Sequence, residues 1–107
     1  MTILPFYLIV FFGLLSSSNY LNAQEPPALT NTCRACHGAN GISPNDAWPN
    51  IAGQKKTYLK LQLQAFRDGK RHNPLMSPVS QMLSDQDIEA LANYYSNLDP
   101  HADEEEP

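Results

Sequence analysis

Cys33-Arg34-Ala35-Cys36-His37 constrains this chain more than any other stretch. Two cysteines three residues apart lie about one helical turn from each other, on one face of a helix. A histidine follows at once. This is the spacing at which two thiols can each add to a vinyl group on one edge of a flat porphyrin while the imidazole reaches the iron, the attachment pattern of a c-type haem. A redox cofactor bound covalently to a small chain points to electron transfer.

Cys-x-x-Cys alone also fits a redox-active dithiol, half of a zinc site or a small disulfide. A thioredoxin-like dithiol belongs beside a βαβ unit, and no strand pattern surrounds the motif. A closed zinc site needs four N or S ligands, whereas the chain has two cysteines, with His37, His72 and His101 scattered. Both cysteines lie inside the motif, so neither is left to pair elsewhere.

The N-terminus reads as an export signal over residues 1–23. Ile3 to Leu15 is apolar but broken by Pro5 and Gly13. It is shorter than the roughly 20 residues that span a bilayer, and suits a signal core. Ser16-Ser17-Ser18-Asn19 and Leu21-Asn22-Ala23 follow, placing cleavage after Ala23. Against this, no Lys or Arg precedes the apolar run and Leu21 is large for its position; an uncleaved membrane anchor is the alternative. The expected arrangement is a signal peptide (1–23), one small domain (24–99) and an acidic tail (100–107). Seven basic and eleven acidic residues give a net charge of −4, a poor basis for binding nucleic acid.

The domain reads as all-α, with about three main helices joined by loops. Leu29 to Cys36 is a short helix that delivers the motif. Ala39 to Ala52 is loop-like, with Gly41, Pro44, Asn45, Pro49 and Asn50. Lys55 to Asp68 carries Leu59, Leu63 and Phe66 at i, i+4 and i+7, and Gly69 stands where a C-cap glycine belongs. His72 to Met82 contains Pro74 and Pro78 and reads as non-helical. Ser84 with Asp87 is a variant capping box, and Ile88, Leu91, Ala92 and Tyr95 form the apolar face of a last helix ending near Asn97. Asp103 to Glu106 reads as a solvated tail.

Iron in an electron carrier usually takes two protein ligands. His37 is the first, and Met76, Met82, His72 and His101 are candidates for the second. A methionine thioether favours ferrous iron and raises the potential; a second histidine lowers it. Met76 sits between Pro74 and Pro78, in a segment stiff enough to hold a side chain against a ring. Met82 beside Leu83 reads as core filler, His72 as surface and His101 as tail. Met76 is the favoured ligand.

With the blocks Trp48-Pro49-Asn50-Ile51-Ala52-Gly53-Gln54, Leu63 to Arg71, Leu83 to Ile88 and Ala92 to Tyr95, the chain resembles class I cytochromes c over roughly residues 28–98. More closely, it is similar to small periplasmic monohaem proteins that match one half of the bacterial dihaem cytochromes c, although it has a single haem motif. The resemblance implies the cytochrome c fold around one covalent haem c and its iron, with N- and C-terminal helices crossing near Tyr94 and Tyr95. It implies Cys33 and Cys36 as attachment sites, His37 and Met76 as ligands, and the Pro49 carbonyl as acceptor for the proximal histidine. Trp48, Tyr58 and Arg71 become candidate propionate or haem-wall contacts.

Residues 55–72 hold six basic side chains and one acid, and residues 73–107 hold eight acids and no Lys or Arg. Solvated faces account for this; the sharper alternative is that the basic segment steers docking to an acidic patch on a redox partner. The function expected is a non-enzymatic periplasmic electron shuttle. Its donors and acceptors would be redox proteins such as a membrane reductase, a terminal oxidase or a periplasmic dehydrogenase, with contact to the membrane only through them. A haem c subunit of a periplasmic oxidoreductase complex is the alternative. Peroxidase or gas-sensing chemistry would need an open sixth position on the iron.

Overall fold

The computed structural model describes residues 26–102 together with Gly13 and Glu104; apart from Gly13, the expected export signal lies outside the described residues. The described residues form four helices and no strands: α1 (Thr30–His37), α2 (Lys56–Arg67), α3 (Met76–Gln81) and α4 (Asp85–Ser96). None of these helices is long and apolar enough to cross a membrane.

Helix α1 starts where Thr30 doubles back on Pro27, its backbone N–H and its hydroxyl donating to the Pro27 carbonyl at 2.9 and 2.7 Å. Helix α2 buries Leu59 and Phe66 and half-buries Leu63, the expected stripe. It ends at Asp68, with Gly69 at φ +77° turning the chain away. Helix α4 opens with a complete capping box. The Ser84 hydroxyl accepts from the Asp87 N–H at 3.1 Å, and the Asp87 carboxylate accepts from the Ser84 N–H at 2.8 Å. These bonds hold the Asp87 carboxyl below its ordinary value. The four apolar residues read from the sequence, Ile88, Leu91, Ala92 and Tyr95, are the buried face of α4.

Helix α3 corrects the sequence reading, which made His72 to Met82 non-helical. Pro78 is the third residue of α3. The first N–H groups of a helix have no partner within it, so a proline costs little there. Asn73 caps in place of a conventional N-cap: its side-chain oxygen accepts from Leu75 N–H at 2.9 Å and Met76 N–H at 3.0 Å. Ser77 answers, its hydroxyl accepting from the Asn73 N–H at 2.9 Å. Met76 therefore stands on the first turn of a short capped helix, not in an extended loop.

Helix α2 packs against both α3 and α4. The core is Leu59, Leu83, Ile88, Leu91, Ala92 and Tyr95, onto which pack Leu29 just ahead of α1, Cys33 of α1 and Tyr94 of α4. Cys33 of α1 thus packs onto the core to which α4 gives Tyr95, whose ring takes an edge contact with Tyr94 at 5.1 Å. Ile88 and Leu91 are 0% and 2% exposed, and burying such a side chain contributes about 1.5–3 kcal/mol.

The charge segregation along the sequence closes on itself in three dimensions. Lys56 and Lys60 both engage Glu89 across α2 and α4, Lys60 at 2.6 Å. Arg67 reaches Asp68 at 2.9 Å and Asp85 at 2.7 Å. The intramolecular pairs favour the solvated-face account over a dedicated docking patch. The two lysines hold the Glu89 carboxyl down at about 2. A depressed carboxyl stabilises the fold above its unfolded value of about 4.5 and ceases to do so as the pH falls through about 2. Comparing wild type with Glu89→Gln in urea should show a small deficit at neutral pH that shrinks below pH 4.5 and is gone by pH 2. A deficit independent of pH would mean the lysines are not stabilised by that charge.

Candidate cofactor site

One cavity of about 430 Å³ draws on every helix. It takes Cys33, Cys36 and His37 from α1, Leu59 and Phe66 from α2, Met76 and Val79 from α3, and Leu91 and Tyr95 from α4. Trp48, Pro49, Tyr58 and Arg71 also line it. Most of these side chains are apolar, as suits a flat, largely hydrocarbon ligand.

His37 supplies the sharpest geometry. It is 8% exposed, and its Nδ1 lies 2.7 Å from the Pro49 carbonyl oxygen. A carbonyl can only accept, so Nδ1 donates in this bond, and in the neutral ring that leaves the Nε2 lone pair free to bind a metal. The loop that presents Pro49 is itself stitched. Gly41 N–H donates to the Gly38 carbonyl at 3.2 Å, and the Gly41 carbonyl accepts from Ile51 N–H at 2.8 Å and Ala52 N–H at 3.0 Å. The Ser43 hydroxyl donates to the Cys36 carbonyl at 3.0 Å, while Ser43 N–H donates to the Asn50 side chain at 2.7 Å. Gly53 N–H ties the end of the loop to the Tyr95 carbonyl at 2.9 Å.

Cys33 and Cys36 are free thiols, both half-buried. Burial pushes the Cys33 thiol above its ordinary value, and it donates weakly to the Leu29 carbonyl at 3.5 Å. Arg71 stacks its guanidinium over Phe66 at 4.5 Å and donates to the Gln62 side chain at 2.7 Å.

The four candidates for a second ligand separate cleanly. Met76 is half-buried and lines the cavity. Met82 also lines it but is 68% exposed, which corrects its reading as core filler: it is the C-cap of α3 and lies at the mouth. His72 and His101 are exposed and outside the cavity wall, and His101 turns to Glu104 at 3.0 Å. No group of three or more His, Cys, Asp or Glu side chains among the described residues could hold a metal, which removes the support for a closed zinc site. Two free thiols, an imidazole and a thioether around an apolar cavity fit a covalent haem.

Two features escaped the sequence reading. Asn73 holds the backbone of Met76; Asn followed by Pro is a turn signal that could have revealed it. The Tyr95 hydroxyl is buried without a hydrogen-bond partner, and burial, with Cys33 beside it, pushes its phenol well up. No pattern in the sequence distinguishes that tyrosine from an ordinary core aromatic.

A cytochrome c family model matches residues 27–99. Cytochrome c-554(548) of Halomonas halodenitrificans is 46% identical over 69 residues, covering 62% of this chain and 83% of that protein. A thiosulfate dehydrogenase electron acceptor of Thiomonas intermedia is 44% identical over 79 residues, covering 73% of this chain but only 36% of the relative. Among solved structures, reduced cytochrome c4 from Pseudomonas stutzeri superposes with a TM-score of 0.59 at 40% identity, covering 63% of this chain and 38% of that one. The matched part of this chain thus spans little more than a third of each of these two longer proteins. With the attachment motif, the helical architecture and the family match in agreement, the chain belongs to the cytochrome c family: an electron-carrying protein with one covalent c-type haem, whose Cys-x-x-Cys-His sequence it carries at residues 33–37.

Proposed function

We propose that the chain is a periplasmic one-electron shuttle whose haem is attached through Cys33 and Cys36 and ligated by His37 and Met76. The observation that carries this reading is the bond from His37 Nδ1 to the Pro49 carbonyl. It fixes the imidazole tautomer, holds the ring against rotation and raises the basicity of Nε2. The bound haem supplies the one-electron iron couple. The protein keeps both ligands still, so that gain or loss of an electron moves few atoms. His37 is held by Pro49, and Met76 by the Asn73 cap at the start of α3. The apolar walls exclude water and, with a thioether ligand, favour the ferrous state. Trp48, Tyr58 and Arg71 line the cavity and would supply wall or propionate contacts to the haem when bound. Export would use residues 1–23, leaving a domain over 24–99 and an acidic tail over 100–107. The electron would pass to and from redox proteins such as a membrane reductase, a terminal oxidase or a periplasmic dehydrogenase.

A second reading, a haem subunit docked to a larger oxidoreductase, draws support from Tyr58, Leu75 and Met82. These large apolar side chains are 48%, 52% and 68% exposed around the cavity. The Thiomonas relative is named as an electron acceptor of thiosulfate dehydrogenase, which fits either reading.

The test is the visible spectrum of protein expressed in the periplasm with a competent haem-attachment system. A pyridine haemochrome of c type, together with the weak sulfur-to-iron band in the oxidised form, is the expected result. A high-spin spectrum without that band would move the reading toward ligand binding at the iron. A colourless protein would overturn it.

A further inference from the structure

We propose that Tyr95 is a positioning residue for the haem, its hydroxyl donating a hydrogen bond to the Cys33 sulfur once that sulfur has become a thioether. The inference rests on attachment at Cys33, the reading given above, and adds a role for a residue outside the motif.

Tyr95 is 3% exposed, lines the cavity, and keeps its hydroxyl buried with no hydrogen-bond partner. A buried donor left unpaired is costly, and native proteins seldom retain one without a reason. Cys33 packs against the buried cluster that contains Tyr95, and the two residues line the same cavity without a hydrogen bond between them.

The chemistry of attachment changes what Cys33 can do. As a thiol it is a donor, directed to the Leu29 carbonyl at 3.5 Å. When the thiol adds across a vinyl double bond, a carbon–sulfur bond forms and the S–H bond breaks. The hydrogen ends on the neighbouring vinyl carbon, with no net oxidation or reduction. The sulfur can then only accept. The Leu29 carbonyl loses that weak donor but keeps the Thr32 N–H at 3.2 Å. Tyr95 has the reverse need: a hydroxyl proton with nowhere to go. Attachment thus creates an acceptor beside the unpaired donor.

Donation to the thioether draws electron density from the ring substituent. It sets the positive end of an O–H dipole beside the macrocycle, in an interior where such dipoles act strongly. Both effects favour the reduced state, so Tyr95 raises the reduction potential.

The experiment is spectroelectrochemistry of haem-loaded wild type and Tyr95→Phe, with Tyr94→Phe as control and the same change repeated on Cys33→Ala. Tyr95→Phe should lower the reduction equilibrium constant about threefold, a fall of about 28 mV at about 59 mV per tenfold change for a one-electron couple. The sulfur-to-iron band should stay in place, Tyr94→Phe should leave the potential alone, and the effect should vanish when Cys33 is alanine. An unchanged potential in loaded Tyr95→Phe, or a shift that persists without the Cys33 sulfur, overturns the proposal while leaving haem attachment intact. Loss of haem mass from the wild type would instead remove the reading beneath it, and the proposal with it. If Tyr95→Phe fails to load, proton NMR of the reduced wild type decides. A slowly exchanging phenolic proton with contacts to the Cys33 β-protons supports the bond, and a hydroxyl exchanging at bulk rates overturns it.

Discussion

Replacing Gly38 by alanine should leave little haem-loaded protein. Gly38 has φ +82° and ψ 159°, a region open in practice to glycine alone. An added Cβ would stand 1.8 Å from the Ile42 carbonyl oxygen and 2.7 Å from its carbon, so backbone itself must move. Strain of this kind costs about 1–3 kcal/mol before the backbone clash is added, a large part of the roughly 5–15 kcal/mol that holds a domain together. The damage is also placed where the site is built. Gly38 N–H caps α1 by donating to the Arg34 carbonyl at 3.1 Å, and its own carbonyl holds Gly41, whose carbonyl in turn holds Ile51 and Ala52. That run of bonds fixes the loop carrying Pro49, and Pro49 fixes His37. Gly69→Ala is the matched comparison, with φ +77° but open space where the Cβ would go, so only the local strain of about 1–2 kcal/mol remains. Haem per polypeptide, measured as pyridine haemochrome, and the urea midpoint should both collapse for Gly38→Ala and fall only modestly for Gly69→Ala. Equal behaviour of the two variants would mean that the Ile42 contact relaxes freely and does not govern the site.

How far the sequence carries depends on whether a feature is local. Helices α2 and α4 were legible to within about a residue, because a 3.6-residue apolar stripe, a glycine past the end and a capping box are all written in consecutive residues. The attachment motif was legible for the same reason. Helix α3 is not, because a proline usually ends a helix, yet at the third residue it removes only an N–H that has no helical partner. The charge layout leaves two readings open in the sequence, and the fold favours the solvated faces. Lys56, Lys60 and Glu89 are far apart in sequence, so a basic segment followed by an acidic one looks like a dipole until α2 and α4 are laid together. Met82 beside Leu83 reads as core filler, yet its place at the end of α3 leaves it exposed on the cavity wall. The unpaired hydroxyl of Tyr95 is a property of the whole packing arrangement, which no window of sequence contains.

The ligand assignment yields the other large effect. Met76 and Met82 both line the cavity, but α3 holds them differently. Met76 is the first residue of the helix, with its N–H on the Asn73 side chain and that asparagine locked by Ser77, so its backbone is fixed from two directions. Met82, exposed at the far end, bonds only to the last turn, its N–H meeting the Val79 carbonyl at 3.2 Å. A ligand that must stay still through each electron transfer belongs at the fixed end. Met76→Ala should therefore abolish the sulfur-to-iron band, lower the reduction potential and open the iron to external ligands. With Met76 on the iron, such a ligand must wait in the wild type for the methionine to leave. If that open state is populated at about 1%, removing the thioether raises the apparent affinity for imidazole about 100-fold. Met82→Ala should keep the band and bind imidazole as the wild type does. Spectral titration of the three proteins decides: a band lost in Met82→Ala and kept in Met76→Ala would move the ligand to the mouth of the cavity. Ligation from there would make ligand exchange, rather than rigid electron transfer, the natural behaviour of this iron, because Met82 has no counterpart to the Asn73–Ser77 clamp holding it in place.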